Sequence, residues 1–168
     1  VDAGPSGAAV LITADGRRIL GAWGWSWSEH GKGGRGLLEA AGSGEVLEFD
    51  TMAGVGAHIA DRAAHLASGQ YRLVVEATWA GGRDKGSPDV VTALAADPAC
   101  RGCATVDQST WAKRMLKLTP AQRRRDTVVY RAMQELVNDP KNPRLPKRLR
   151  KHRHTWDAYA LALYTTRR

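Results

Sequence analysis

The chain has 168 residues, enough for one domain with a sizeable core. Its 25 Lys and Arg outweigh 17 Asp and Glu, a formal net charge of +8 that favours a polyanionic partner. No run of about 18 apolar residues and no signal peptide is legible, which argues against a helical membrane span and leads us to expect a cytoplasmic protein.

Residues 8–28 hold two apolar runs around Asp15-Gly16, a hairpin turn signal, so an antiparallel hairpin is expected. Trp23, Trp25 and Trp27 alternate along its second arm and share one face, as a packed sheet face requires. Residues 29–44 are rich in Gly and charge and read as a loop. Residues 45–51 read as a third strand, at an edge. A helix is expected over 53–67, with Val55, Ile59, Ala63 and Leu66 on its apolar face and a start weakened by Gly54 and Gly56. His58 and His65 read as ordinary helix residues.

Residues 71–75 form the most strand-like run, apolar enough for a central strand, and Glu76 follows at its C-terminal end. Ser87 and Pro88 open a helix through 96 as N-cap and first helical residue. Cys100 and Cys103 make a single C-x-x-C with no second pair and read as turn cysteines. A short strand over 103–107 leads into a basic connection. Thr119-Pro120 then begins a helix that runs to about Asn138, with Val128, Met133 and Leu136 inward. After a Pro-broken loop the last helix begins near Thr155. This order predicts one α/β domain over 1–168, with a mixed five-stranded sheet and helices on both faces. Asp2 stands almost at the first residue yet looks like the end of a strand, so the numbering is expected to start inside a longer polypeptide.

The charge is unevenly spread. Between Trp111 and His154 there are 14 Lys or Arg and three acids, Asp126, Glu135 and Asp139. Concentration of the positive field in one region is the footprint of phosphate-backbone binding.

Three acids sit where strands or helices end or begin: Asp2, Glu76 and Asp157, with His154 three residues before the last. Asp157 should be ionised and favoured by the N-terminus of the final helix. No local motif unites these residues; only the fold can. If they converge, an all-oxygen set suits Mg²⁺ or Mn²⁺, and two such ions can activate water and stabilise the leaving oxygen of a phosphodiester. His154 could ligate an ion, orient the water, help with proton transfer or contact phosphate. Each acid also has an ordinary reading, as a turn residue, a sheet-edge acid or a helix-starting charge.

The first Asp with its following Gly, the central Val74-Val75-Glu76 and the terminal HTWDAYALAL together resemble the RuvC-type Holliday-junction resolvases of the RNase H-like nuclease superfamily. By element order the resemblance spans nearly the whole chain. It departs from the family pattern in a longer stretch between Asp2 and Glu76 and in a longer, more basic loop before the last helix. A divergent member of this kind could be encoded by a bacteriophage.

The resemblance implies an RNase H-like fold, a metal site of Asp2, Glu76, His154 and Asp157, and the cofactor Mg²⁺, for which Mn²⁺ can substitute, two ions per site. It implies a two-fold homodimer that nicks two strands of a four-way DNA junction by water attack, leaving 5'-phosphate and 3'-hydroxyl ends. No small-molecule cofactor and no membrane partner are expected. Trp79 matches the place of an aromatic that stacks on an unpaired base near the crossover. Lys113, Arg114, Lys117, Arg123, Arg124 and Arg125 are expected to form much of a phosphate track, with Lys147, Arg148, Lys151 and Arg153 nearer the cut. The rival expectations are another RNase H-like nuclease acting on RNA–DNA hybrids or flaps, and a non-catalytic junction-binding protein.

Overall fold

A hairpin opens the fold: β1 (Ser6–Ile12) and β2 (Ile19–His30) pair antiparallel, with Ala9 opposite Trp23. Its turn needs a positive φ, supplied by Gly16 at 69°, and the Asp15 carboxylate fastens it by accepting from the Thr13 hydroxyl and the Arg17 N–H. The computed structural model describes residues 1–2, 6–30, 33–40, 45–77, 87–151 and 153–167, with backbone alone at 29–30, 33–35, 87–88 and 151.

The stretch expected to be a loop over 29–44 is largely strand. β2 extends to His30, and β3 (Gly33–Ala40) returns along it, pairing Leu38 with Trp25. Its glycines mislead because one of them has a packing purpose. A Cβ on Gly36 would stand 2.7 Å from Val55 Cγ2, so glycine lets the following helix approach the sheet. β4 (Val46–Phe49) completes a four-stranded antiparallel sheet. Thr51 caps α1 (Met52–Leu66) by accepting from the Gly54 N–H.

β5 (Tyr71–Ala77) pairs in parallel with β6 (Cys100–Asp107) across α2 (Ser87–Ala96). The supposed basic connection is α3 (Gln108–Leu116), amphipathic enough to bury Trp111, Ala112 and Leu116 while its Lys and Arg face outward. The single helix expected from Pro120 is two. Thr119 and Gln122 form a capping box for α4 (Pro120–Arg123), Arg125 takes an extended conformation, and α5 (Asp126–Asn138) restarts. A 3₁₀ turn, Leu149–Lys151, leads into α6 (Arg153–Thr166).

Helices cover both faces of the strands. On one side Trp23, Trp25, Leu38, Leu73 and Val75 pack with α1 and α2. Trp23 and Trp25 are buried there and Trp27 is half-buried against them. On the other side Val10, Ile12, Ile19 and Val74 pack with α3, α5 and α6. The expected single five-stranded sheet is not what forms. Among the described residues there are six strands, in one sheet of four and one of two. Residues 1–2 are too short to count as a strand, yet they hydrogen-bond to β1 on one side and β5 on the other. They stitch the two sheets together. Among the described residues no helix is long and apolar enough to cross a membrane.

Candidate active site

The stitch between the sheets sets the first two acids side by side. The Val1 nitrogen donates to the Val74 carbonyl at 2.6 Å, and the Val1 carbonyl accepts from the Glu76 N–H at 3.0 Å. This is the ladder pattern of parallel strands, and it carries Asp2 alongside Glu76. On the other edge Asp2 exchanges backbone hydrogen bonds of 3.0 and 2.9 Å with Ala8. Strand side chains alternate, so Glu76 shares its face with Val74, which packs into the layer containing α6.

From α6 come His154 and Asp157, three residues apart and hence on one side of the helix. Thr155, Trp156, Ala158 and Tyr159 are buried around them, which fixes how that side faces the strands. His154 Nδ1 lies 2.7 Å from Asp2 Oδ2, with the imidazole about half exposed and the Asp2 side chain mostly covered. The hydrogen bond to Asp2 is the main reason the His154 pKa is raised, against the opposing effect of burial.

Burial pushes the Glu76 carboxyl up to about 7, and the Asp2 and then the Asp157 carboxylates add to the rise. Burial also raises Asp157 to about 6, with Asp2 next in effect. The expectation that the helix N-terminus favours an ionised Asp157 needs correction. α6 starts at Arg153, so Asp157 lies just beyond the first turn, where the free N–H groups no longer offset desolvation.

Asp2, Glu76, His154 and Asp157 thus meet electrostatically at one place, although 155 positions separate the ends of the set. Among the described residues no three His, Cys, Asp or Glu side chains stand grouped as a ready metal cage. One oxygen of Asp2 is already taken by His154. The donor chemistry nevertheless fits a divalent cation: crowded, partly buried carboxylates with raised pKa values are relieved by positive charge.

The basic residues divide into two kinds. Lys113, Lys117, Arg124, Arg125, Lys147 and Arg148 are exposed. Arg114 is exposed but donates to the Arg167 carbonyl at 2.6 Å and sits over the Tyr164 ring, while Arg123 is half-buried and donates to the Ser109 carbonyl at 2.7 Å. Those two tie helices together. Arg153 is exposed at the start of α6, next to the acids. The Lys151 side chain and the whole of Trp79 lie outside the described residues.

Sequence reasoning missed a cleft of about 430 Å³ beside Asp157, lined by Tyr130 and Arg131 of α5 and by Arg153 and Trp156 of α6. Local spacing gave no signal for it: Tyr130 lies three and seven residues before the buried Met133 and Val137, so the helical period alone assigns it to the inward face of α5. Compared with protein-family models and with curated proteins, the chain matches none.

Proposed function

We propose that this protein is a divalent-metal-dependent endonuclease that cuts branched DNA, four-way junctions foremost, and acts as a homodimer. The observation that carries the reading is the meeting of Asp2, Glu76 and Asp157 with His154 at the join between the two sheets. A structural role is a poor explanation for that set. Like charges crowded in a partly buried place destabilise a fold unless something positive relieves them.

Asp2, Glu76 and Asp157 are the residues that would hold Mg²⁺ or Mn²⁺. Such ions, when bound, acidify an attacking water and neutralise charge on the phosphate and leaving oxygen. The remaining work falls to the chain. His154, hydrogen-bonded to Asp2, keeps that carboxylate oriented. Arg153 places a positive charge beside it. Exposed Lys113, Lys117, Arg124 and Arg125 offer the duplex a basic surface. In the step itself the water oxygen bonds to phosphorus as the P–O3' bond breaks. The products are a 5'-phosphate and, after proton uptake by the departing oxygen, a 3'-hydroxyl. Two copies related by a two-fold axis suit a substrate with two equivalent strands.

The test uses an immobile four-way junction, a flap, a linear duplex and an RNA–DNA hybrid, each with Mg²⁺, Mn²⁺, Ca²⁺ or EDTA. The expected outcome is junction cleavage with Mg²⁺ or Mn²⁺ and binding without cleavage in EDTA. Junction binding with no cleavage under any metal would mark a non-catalytic binder. Preferential cutting of the hybrid or flap would move the substrate while keeping the chemistry.

A further inference from the structure

The cleft between α5 and α6 has features the metal site does not need. Tyr130 is 54% exposed, one of two large hydrophobic residues left so open among those described. A lone exposed aromatic requires no explanation, but this one stands in a concavity. Its ring lies 5.1 Å from that of Trp156, tilted by 38°. Trp156 is held rigidly: it is only 8% exposed, and its indole N–H donates to the Arg150 carbonyl at 2.6 Å. The pair therefore presents a supported aromatic surface rather than a loose side chain. Arg131 and Arg153 line the same cleft from opposite helices, and Asp157 lines it as well. The volume, about 430 Å³, falls within the range of small-ligand sites.

We propose that this cleft binds one unpaired nucleotide of the DNA strand, with the base on Tyr130 and the adjoining phosphates met by Arg131 and Arg153. The aromatic surface recognises the π-face that every base carries, and the flanking guanidiniums recognise the backbone. A fully paired base keeps both faces covered by its neighbours and cannot enter. The site thereby selects strands opened at a branch point and brings them to Asp157, which lines the same cleft. This assignment rests on the nuclease reading for its substrate but is read out by binding alone.

The experiment titrates the protein in EDTA against junctions carrying 2-aminopurine either unpaired at the branch or fully paired within an arm. Wild type should change the fluorescence of the unpaired probe and leave the paired one unaltered. Tyr130→Ala should weaken binding of the unpaired probe roughly 5- to 150-fold, equivalent to ~1–3 kcal/mol of stacking. Tyr130→Phe should restore it, and Arg131→Gln should weaken binding and lower its salt dependence. An unchanged affinity in Tyr130→Ala, or equal fluorescence responses from the paired and unpaired probes of wild type, would overturn the subsite. Tighter binding of free deoxyadenosine monophosphate than of the junction would overturn its assignment to a strand. A junction that is cut normally while the probe never responds removes the subsite and leaves the nuclease reading standing. Absence of any DNA binding by wild type removes both.

Discussion

His154 Nδ1 and Asp2 Oδ2 stand 2.7 Å apart across 152 positions of sequence. The contact links the end of the chain to its beginning and fixes α6 over the join between the sheets. Because this bond raises the His154 pKa, the imidazole holds its proton to higher pH than a free histidine. Titration of the imidazole followed by NMR in metal-free protein should give a midpoint above 6.5, falling in Asp2→Asn. A midpoint unmoved by that substitution would show that the hydrogen bond has no electrostatic weight in solution.

Loss of any one of the three carboxylates should abolish cleavage and spare binding. Asp2→Asn, Glu76→Gln and Asp157→Asn keep shape while removing charge from the place where cations would sit. We expect each to lower the cleavage rate by about a thousandfold or more, the equivalent of about 4 kcal/mol. Junction affinity measured in EDTA should stay level or improve, since negative charge near the phosphate is removed. Wild-type rates in all three variants would eliminate the shared site.

Metal-free stability should fall as pH rises. Glu76 moves from an ordinary 4.5 to about 7 on folding, and Asp157 from 3.8 to about 6. A pKa raised by folding contributes stability that is complete below the unfolded value and is lost as pH climbs through the folded one. These two contributions therefore disappear between about pH 4 and 7, and His154, also raised, acts in the same direction. At pH 8 without metal, Glu76→Gln should be more stable than wild type by on the order of 1 kcal/mol after allowance for solvent screening. Added Mg²⁺ should raise the wild-type Tm more at pH 8 than at pH 5. Thermal melts at the two pH values, with Mg²⁺ and with EDTA, check both statements; equal Mg²⁺ effects would contradict them.

The basic residues should separate by function. Lys113→Ala, Lys117→Ala, Arg124→Ala and Arg125→Ala should leave Tm within about 1 °C, because such exposed changes cost little. Each that contacts phosphate should reduce the salt slope of junction binding by about one. Arg114→Ala and Arg123→Ala should instead lower Tm, since those side chains bond to the Arg167 and Ser109 carbonyls. Affinity that hardly responds to salt would relocate DNA binding away from this surface.

Gly56 lies where α1 meets α2, and a Cβ there would stand 2.7 Å from the Val90 carbonyl oxygen and 2.9 Å from its Cα. Alanine favours the helix by about 1 kcal/mol, but backbone cannot withdraw as a flexible side chain can. Overpacking of about 1–3 kcal/mol should prevail. We expect Gly56→Ala to lower Tm by several degrees in thermal melts. A raised Tm would mean that the two helices separate freely.

Local pattern by itself determined α1, α2, the opening hairpin and β5, because periodicity, caps and turn chemistry act over a few residues. It also marked Asp2, Glu76, His154 and Asp157 individually, each beside a strand or helix end. Composition failed where residues serve a neighbour. Gly36 reads as loop because its missing side chain makes room for Val55, and the charged face of α3 hides a helix whose other face buries Trp111. What only the tertiary structure decided was proximity and its electrostatic consequences. The hydrogen bonds of Val1 to β5 set Asp2 beside Glu76, packing of α6 brought His154 and Asp157 to them, and burial raised two carboxyl pKa values. The Tyr130–Trp156 cleft belongs to the same category, since its walls come from helices that sequence spacing cannot relate. Interactions between residues far apart in the chain depend on how layers stack, and layer stacking leaves no local signature.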